Sequence, residues 1–119
     1  MARKPSASGA PRGLSLAREI RVVLSTAPPR AARLLARRLV AEGFAACVNV
    51  VPGVASVYRW HGRVRSARES LLVIKVSRRR LKALVGALVA IHPYEVPEAL
   101  VVAPLSGLSS YVRWVQDPM

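Results

Sequence analysis

A single cysteine, Cys47, is present, and it lies in an apolar run with no second thiol to pair with. That excludes an intrachain disulfide framework and points to a reducing compartment, with the cytoplasm as the expected location. No apolar stretch reaches the roughly twenty residues that a bilayer-crossing helix needs, so a soluble chain without a membrane partner is expected. Acidic residues are also few: six Asp and Glu stand against nineteen Lys and Arg, for a formal charge of +13. Such an excess attracts nucleic acid or anionic lipid without specificity. The arginines, however, are scattered along the chain, and only Tyr58 and Trp60 interleave with them. The charge therefore reads as solvated surface, with no specific nucleic-acid partner expected. No nucleophile–base pair, Gly-rich phosphate loop or paired-carboxylate spacing occurs either. Hydrolase or kinase chemistry has no residues behind it, and a protein that is not an enzyme is expected.

What is present suits one domain, because 119 residues of which 52% are hydrophobic can bury a core. The opening MARKPSASGAPRG is basic but has no apolar h-region, so it does not read as a secretory signal. Residues 1–19 are expected to be a disordered basic tail, although an Arg-rich, Ser-bearing, acid-poor start is also what a transit peptide looks like. Residues 20–119 are expected to form the domain.

The most informative stretch is AACVNVVPGVASVYRWHGRVRSARESLLVIKV, residues 45–76. It reads as two long strands turning at His61-Gly62, where a tight hairpin needs positive φ. Pro52-Gly53 should mark a bulge in the first arm, since proline cannot donate to a ladder and glycine packs nothing. At roughly 3.3 Å per residue each arm could reach on the order of 45 to 55 Å, whereas a helix of about thirteen residues covers about 20 Å. The ribbon should therefore overhang its own domain, and an overhanging two-stranded ribbon is marginal in water unless it pairs with a second copy.

Around the ribbon, residues 20–25 (IRVVLS) read as a buried strand stopped by Pro28-Pro29. A helix follows over residues 30–42, with Ala32, Leu35, Ala36 and Leu39 on one face, ending at Gly43. Ser77 caps a second helix through residue 91, with Leu81, Leu84, Val85 and Leu88 inward. Arg78, Arg79 and Arg80 oppose its dipole and, with free amide hydrogens beside them, make a candidate anion site. Pro93 ends this helix and opens the loop HPYEVPE before a strand over residues 99–103. A short helix closes the chain over residues 108–116. Strand, helix, strand, hairpin, strand, helix, strand is the split βαβ order of an α+β ferredoxin-like sandwich, here with an extended β-hairpin and a short C-terminal helix.

Three segments, Thr26-Ala27-Pro28, AACVNVVPGVASVYRWHG and HPYEVPE, with Glu69 and Lys75 on the return arm, are similar to the CutA divalent-cation tolerance family. The resemblance covers about residues 20–116. It implies a ferredoxin-like subunit of a homotrimer whose hairpins reach adjacent subunits, and a role in the response to divalent metals. Members that bind copper resemble a Cys-Thr-Ala-Pro turn combined with a His-His-Pro-Tyr loop; here those positions hold Ser25 and Ile91, leaving His92. The resemblance then implies at most weak copper or zinc binding at His92 with Glu95 or Glu98, since serine and one imidazole do not make a tight copper site. Tyr58, Trp60, Glu69, Lys75 and Tyr94 are expected at a cleft or interface between subunits. A trimeric sensor or adaptor that binds a small anion in that cleft is the alternative.

Overall fold

In the computed structural model, which describes residues 13–118, the chain folds as strand β1 (Leu14–Leu16), strand β2 (Ile20–Ala27), helix α1 (Pro29–Ala41), strands β3 (Cys47–Trp60) and β4 (Arg63–Ser77), helix α2 (Leu81–Ile91), strands β5 (Leu100–Val102) and β6 (Ser106–Leu108), and helix α3 (Ser109–Gln116). The main sheet has the order β3-β4-β2-β5 and is antiparallel throughout. That is the ferredoxin-like arrangement expected from the element order. The continuously apolar part of β4 is central, between β3 and β2.

Alternation along the strands decides which face is covered. Val23, Ala27, Leu72, Ile74 and Val76 point to the helices and join Ala32, Leu35 and Leu39 of α1 and Leu84 and Leu88 of α2 in one buried core. The opposite face carries Val22, Leu24, Thr26, Leu71, Val73 and Lys75, none of them fully buried. Pro29 stands at the start of α1, where its missing N–H costs nothing, and the carbonyl of Pro28 accepts from Ala31 and Ala32. Gly43 closes that helix at φ +80, and its N–H donates to the Val40 carbonyl.

The hairpin is as long as its sequence implies. His61 (φ 51) and Gly62 (φ 74) form a two-residue turn between the paired Trp60 and Arg63. The register shifts between Val51 and Val54, at Pro52-Gly53. The ribbon carries the molecule to 53 Å along its long axis against 29 and 25 Å across, so its outer half extends beyond the helices.

Two expectations are corrected. Residues 1–12 lie outside the described part, but the expected tail is not disordered to residue 19. Leu14–Leu16 pairs antiparallel with Ser106–Leu108, and Ala17 and Ile20 are buried with Val112 and Val115 of α3 in a second small core. The second helix also starts later than expected, because Arg78–Arg80 form a single 3-10 turn before α2. Ser77 does cap this turn, its Oγ accepting from the Arg80 N–H at 3.3 Å.

Candidate functional site: an acidic and aromatic groove

The site lies where the outer hairpin passes residues 92–98. Pro93 bars helical geometry to its predecessor, and His92 accordingly ends α2 in extended conformation, φ −74 and ψ 138. This turns the His92 ring inward, to 8% exposure. The Tyr94 N–H donates to His92 Nδ1 at 3.1 Å, so the ring proton resides on Nε2, which donates to the Thr26 carbonyl at 2.8 Å. Both ring nitrogens are thus engaged by backbone. The ring centroids of His92 and Tyr94 are 4.7 Å apart, which fixes the tyrosine in turn.

Tyr94 reaches across to β4, where its hydroxyl donates to Glu69 Oε2 at 2.5 Å. Burial first, and then the hydrogen bond and charge of Glu69, push the Tyr94 hydroxyl well above the ordinary tyrosine range; Arg30 acts in the opposite sense. Glu69 itself is 6% exposed. Above this pair opens a groove of about 670 Å³, lined from the hairpin by Ser56, Val57, Tyr58 and Trp60, from the loop by Pro93, Tyr94, Glu95, Val96 and Glu98, and by Thr26 and Glu69. Three of the six acidic residues of a +13 chain line this groove, and among the described residues no Lys or Arg does.

Of the five residues expected at a cleft or interface between subunits, Tyr58, Trp60, Glu69 and Tyr94 come together along one groove of the single chain. Lys75 does not join them. It lies six residues, or about 20 Å, along β4 from Glu69 and hydrogen-bonds Asn49. The expected metal residues are also separated in role. Glu95 and Glu98 line the groove, whereas His92 is behind it with no free nitrogen lone pair, and among the described residues no group of three His, Cys, Asp or Glu is placed to hold a metal. Ser25 is fully buried toward the helices, and among the described residues its Oγ has no hydrogen-bond partner.

The candidate anion site at Arg78, Arg79 and Arg80 is not assembled. Arg78 pairs with Glu19 at 3.4 Å, Arg80 donates to the Gly43 carbonyl, and the Arg80 amide is taken by Ser77. Arg79 lines a smaller cavity of about 310 Å³ together with Glu19 and Asp117, whose carboxylates oppose an anion. Thr26 and Ser56 escaped the sequence reading as lining residues. Ser56 was already legible as a face-mate of Tyr58 and Trp60, but the placement of Thr26 depends on the β2–β4 register.

The family model described as "CutA1 divalent ion tolerance protein" matches residues 21–118. Among curated relatives, "Protein CutA, chloroplastic" of Arabidopsis thaliana is 42% identical over 97 residues, covering 81% of this chain and 53% of that protein. The chain thus spans about half the length of this plant relative. The structure of the divalent cation tolerance protein Cut A1 from Thermus thermophilus aligns at TM-score 0.79 and 40% identity, over 82% of this chain and 96% of that one. A structure described as the periplasmic divalent cation tolerance protein CutA from Archaeoglobus fulgidus aligns at TM-score 0.77 and 27% identity, over 81% and 94%. Relatives described as periplasmic and chloroplastic overturn the cytoplasmic expectation. It rested on one unpaired cysteine, and a lone thiol with no partner to oxidise with is tolerated outside the cytoplasm too.

Proposed function

Given that the chain belongs to the CutA1 divalent-ion tolerance family, we propose that it serves divalent-cation tolerance as a homotrimeric binding protein without catalytic activity. The observation that supports assembly is the overhanging ribbon. Val57 and Val64 share one of its faces at 72% and 68% exposure, and neither touches a core within its own chain. Exposed valines on an overhanging two-stranded ribbon are stabilised when another copy covers them. Light scattering after size exclusion should give three times the chain mass of 12.9 kDa; a monomer at micromolar concentration would remove this reading.

The metal component follows from the donor set. With both nitrogens of His92 occupied by backbone, copper or zinc would be met weakly by carboxylate oxygens of Glu95 and Glu98, outside the histidine ring. Calorimetric titration with copper and zinc should therefore give weak binding that His92→Ala leaves unchanged and that Glu95→Gln with Glu98→Gln reduces. Binding lost in His92→Ala would place the metal on the imidazole instead.

A further inference from the structure

Glu69 is almost fully buried, and an ionised carboxylate at such depth is unfavourable unless hydrogen bonds and a cation compensate it. Tyr94 supplies one hydrogen bond, to Oε2. Among the described residues no Lys or Arg forms an ion pair with Glu69, and the ion pairs that do form are Arg38–Glu42 and Arg78–Glu19. The carboxylate lines the groove, and among the described residues its Oε1 accepts no hydrogen bond. Arg30 is near enough to act on the Tyr94 hydroxyl but forms no ion pair with Glu69, so among the described residues no direct ion pair is made where Glu69, Glu95 and Glu98 gather beside the aromatic rings of Tyr58 and Trp60.

That combination selects among ligands. An anion meets the wrong sign. A bare divalent ion needs several oxygens converging at about 2.0 to 2.6 Å, and no such group of three is placed here among the described residues. A guanidinium or alkylammonium group on an organic body uses both features, a carboxylate for its charge and aromatic faces for its surface. The groove is also elongated. Trp60 lies six residues beyond Val54, the partner of Glu69, about 20 Å along the arm, and its volume of about 670 Å³ is that of a small-molecule site. We infer that this groove binds an elongated organic cation, its charged head against Glu69 and Tyr94 and its body running along Tyr58 toward Trp60. This goes beyond the metal reading and does not depend on it. The same chemistry has two sources, a free small molecule or an arginine of a second copy, whose hairpin exposes Arg59, Arg63, Arg65 and Arg68.

The test is calorimetric titration with three indoles of nearly equal size in the presence of a chelator: tryptamine (cationic), tryptophol (neutral) and indole-3-propionate (anionic). The protein's own charge of +13 repels tryptamine, so its binding cannot be a bulk electrostatic effect. Saturable tryptamine binding, about tenfold or more weaker for tryptophol and in Glu69→Gln, supports a free ligand. If tryptamine binds only after dilution dissociates the assembly, and Glu69→Gln raises the concentration at which it dissociates, the head group is a second copy's arginine. Equal binding of tryptamine and tryptophol, or Glu69→Gln without effect on either measurement, overturns the inference. The glutamine can still accept from Tyr94, thermal unfolding checks its fold, and the more exposed Glu98→Gln serves as a second variant that should weaken tryptamine less.

Discussion

At the scale of single residues, the Tyr94–Glu69 pair makes a stability signature that can be separated from the rest of the molecule. The folded Tyr94 hydroxyl ionises at a higher pH than the unfolded one, whose ordinary value is 10.0. A group shifted upward contributes stability that is complete below its unfolded pKa and is lost as pH rises from there through the folded value. The thermal midpoint should therefore fall above about pH 10, and it should fall less in Tyr94→Phe. Tyr111, also raised by burial, is common to both proteins and cancels in the difference. At neutral pH the same substitution should cost about 1 to 3 kcal/mol in chemical denaturation, because Glu69 loses its hydrogen-bond donor while staying buried. Equal stability of the two proteins would mean that the hydrogen bond contributes nothing. The residue types of this pair were legible in the chain, whereas the locking of His92 was not. One of its two partners is a carbonyl 66 positions away, and backbone partners leave no trace in side-chain identity.

Among the elements, the hairpin was legible because its arms alternate, its turn holds His61-Gly62 and its irregularity is marked by Pro52-Gly53. Gly62 tests the turn directly. A Cβ there would meet nothing within 4 Å, so any cost of Gly62→Ala comes from backbone conformation at φ +74, with no contribution from a clash. We expect a loss of about 1 kcal/mol in denaturant unfolding with the midpoint lowered and the slope unchanged; no loss would mean that the turn relaxes to another type. The β1–β6 ladder was invisible for the opposite reason. Each strand has three residues, too short to show a period, and their pairing joins positions ninety or more residues apart. The late start of α2 was hidden similarly, since Arg78–Arg80 suit a 3-10 turn as well as an α-helix and the Ser77 cap serves either.

On the scale of the whole molecule, composition announced a basic surface but not how the few acids are arranged, because clustering of Glu69, Glu95 and Glu98 requires strand and loop to meet in space. The length mismatch that favours assembly, by contrast, is already present in the sequence, and the 53 Å long axis expresses it. If a neighbouring copy covers the outer ribbon, replacing its exposed valines by carboxylates should be more damaging to the assembly than to the chain. Val57 and Val64 lie on one face, clear of the buried core, so aspartate at both should leave the secondary structure measured by circular dichroism unchanged. Each charge would have to be desolvated in the interface, a cost of several kcal/mol per ion when unpaired. The double variant Val57→Asp with Val64→Asp should thus scatter light as a species smaller than three chains at concentrations where the parent remains whole. A variant of unchanged mass would move the contact to the open sheet face at Val22, Leu24 and Val73, where the same pair of measurements can be repeated.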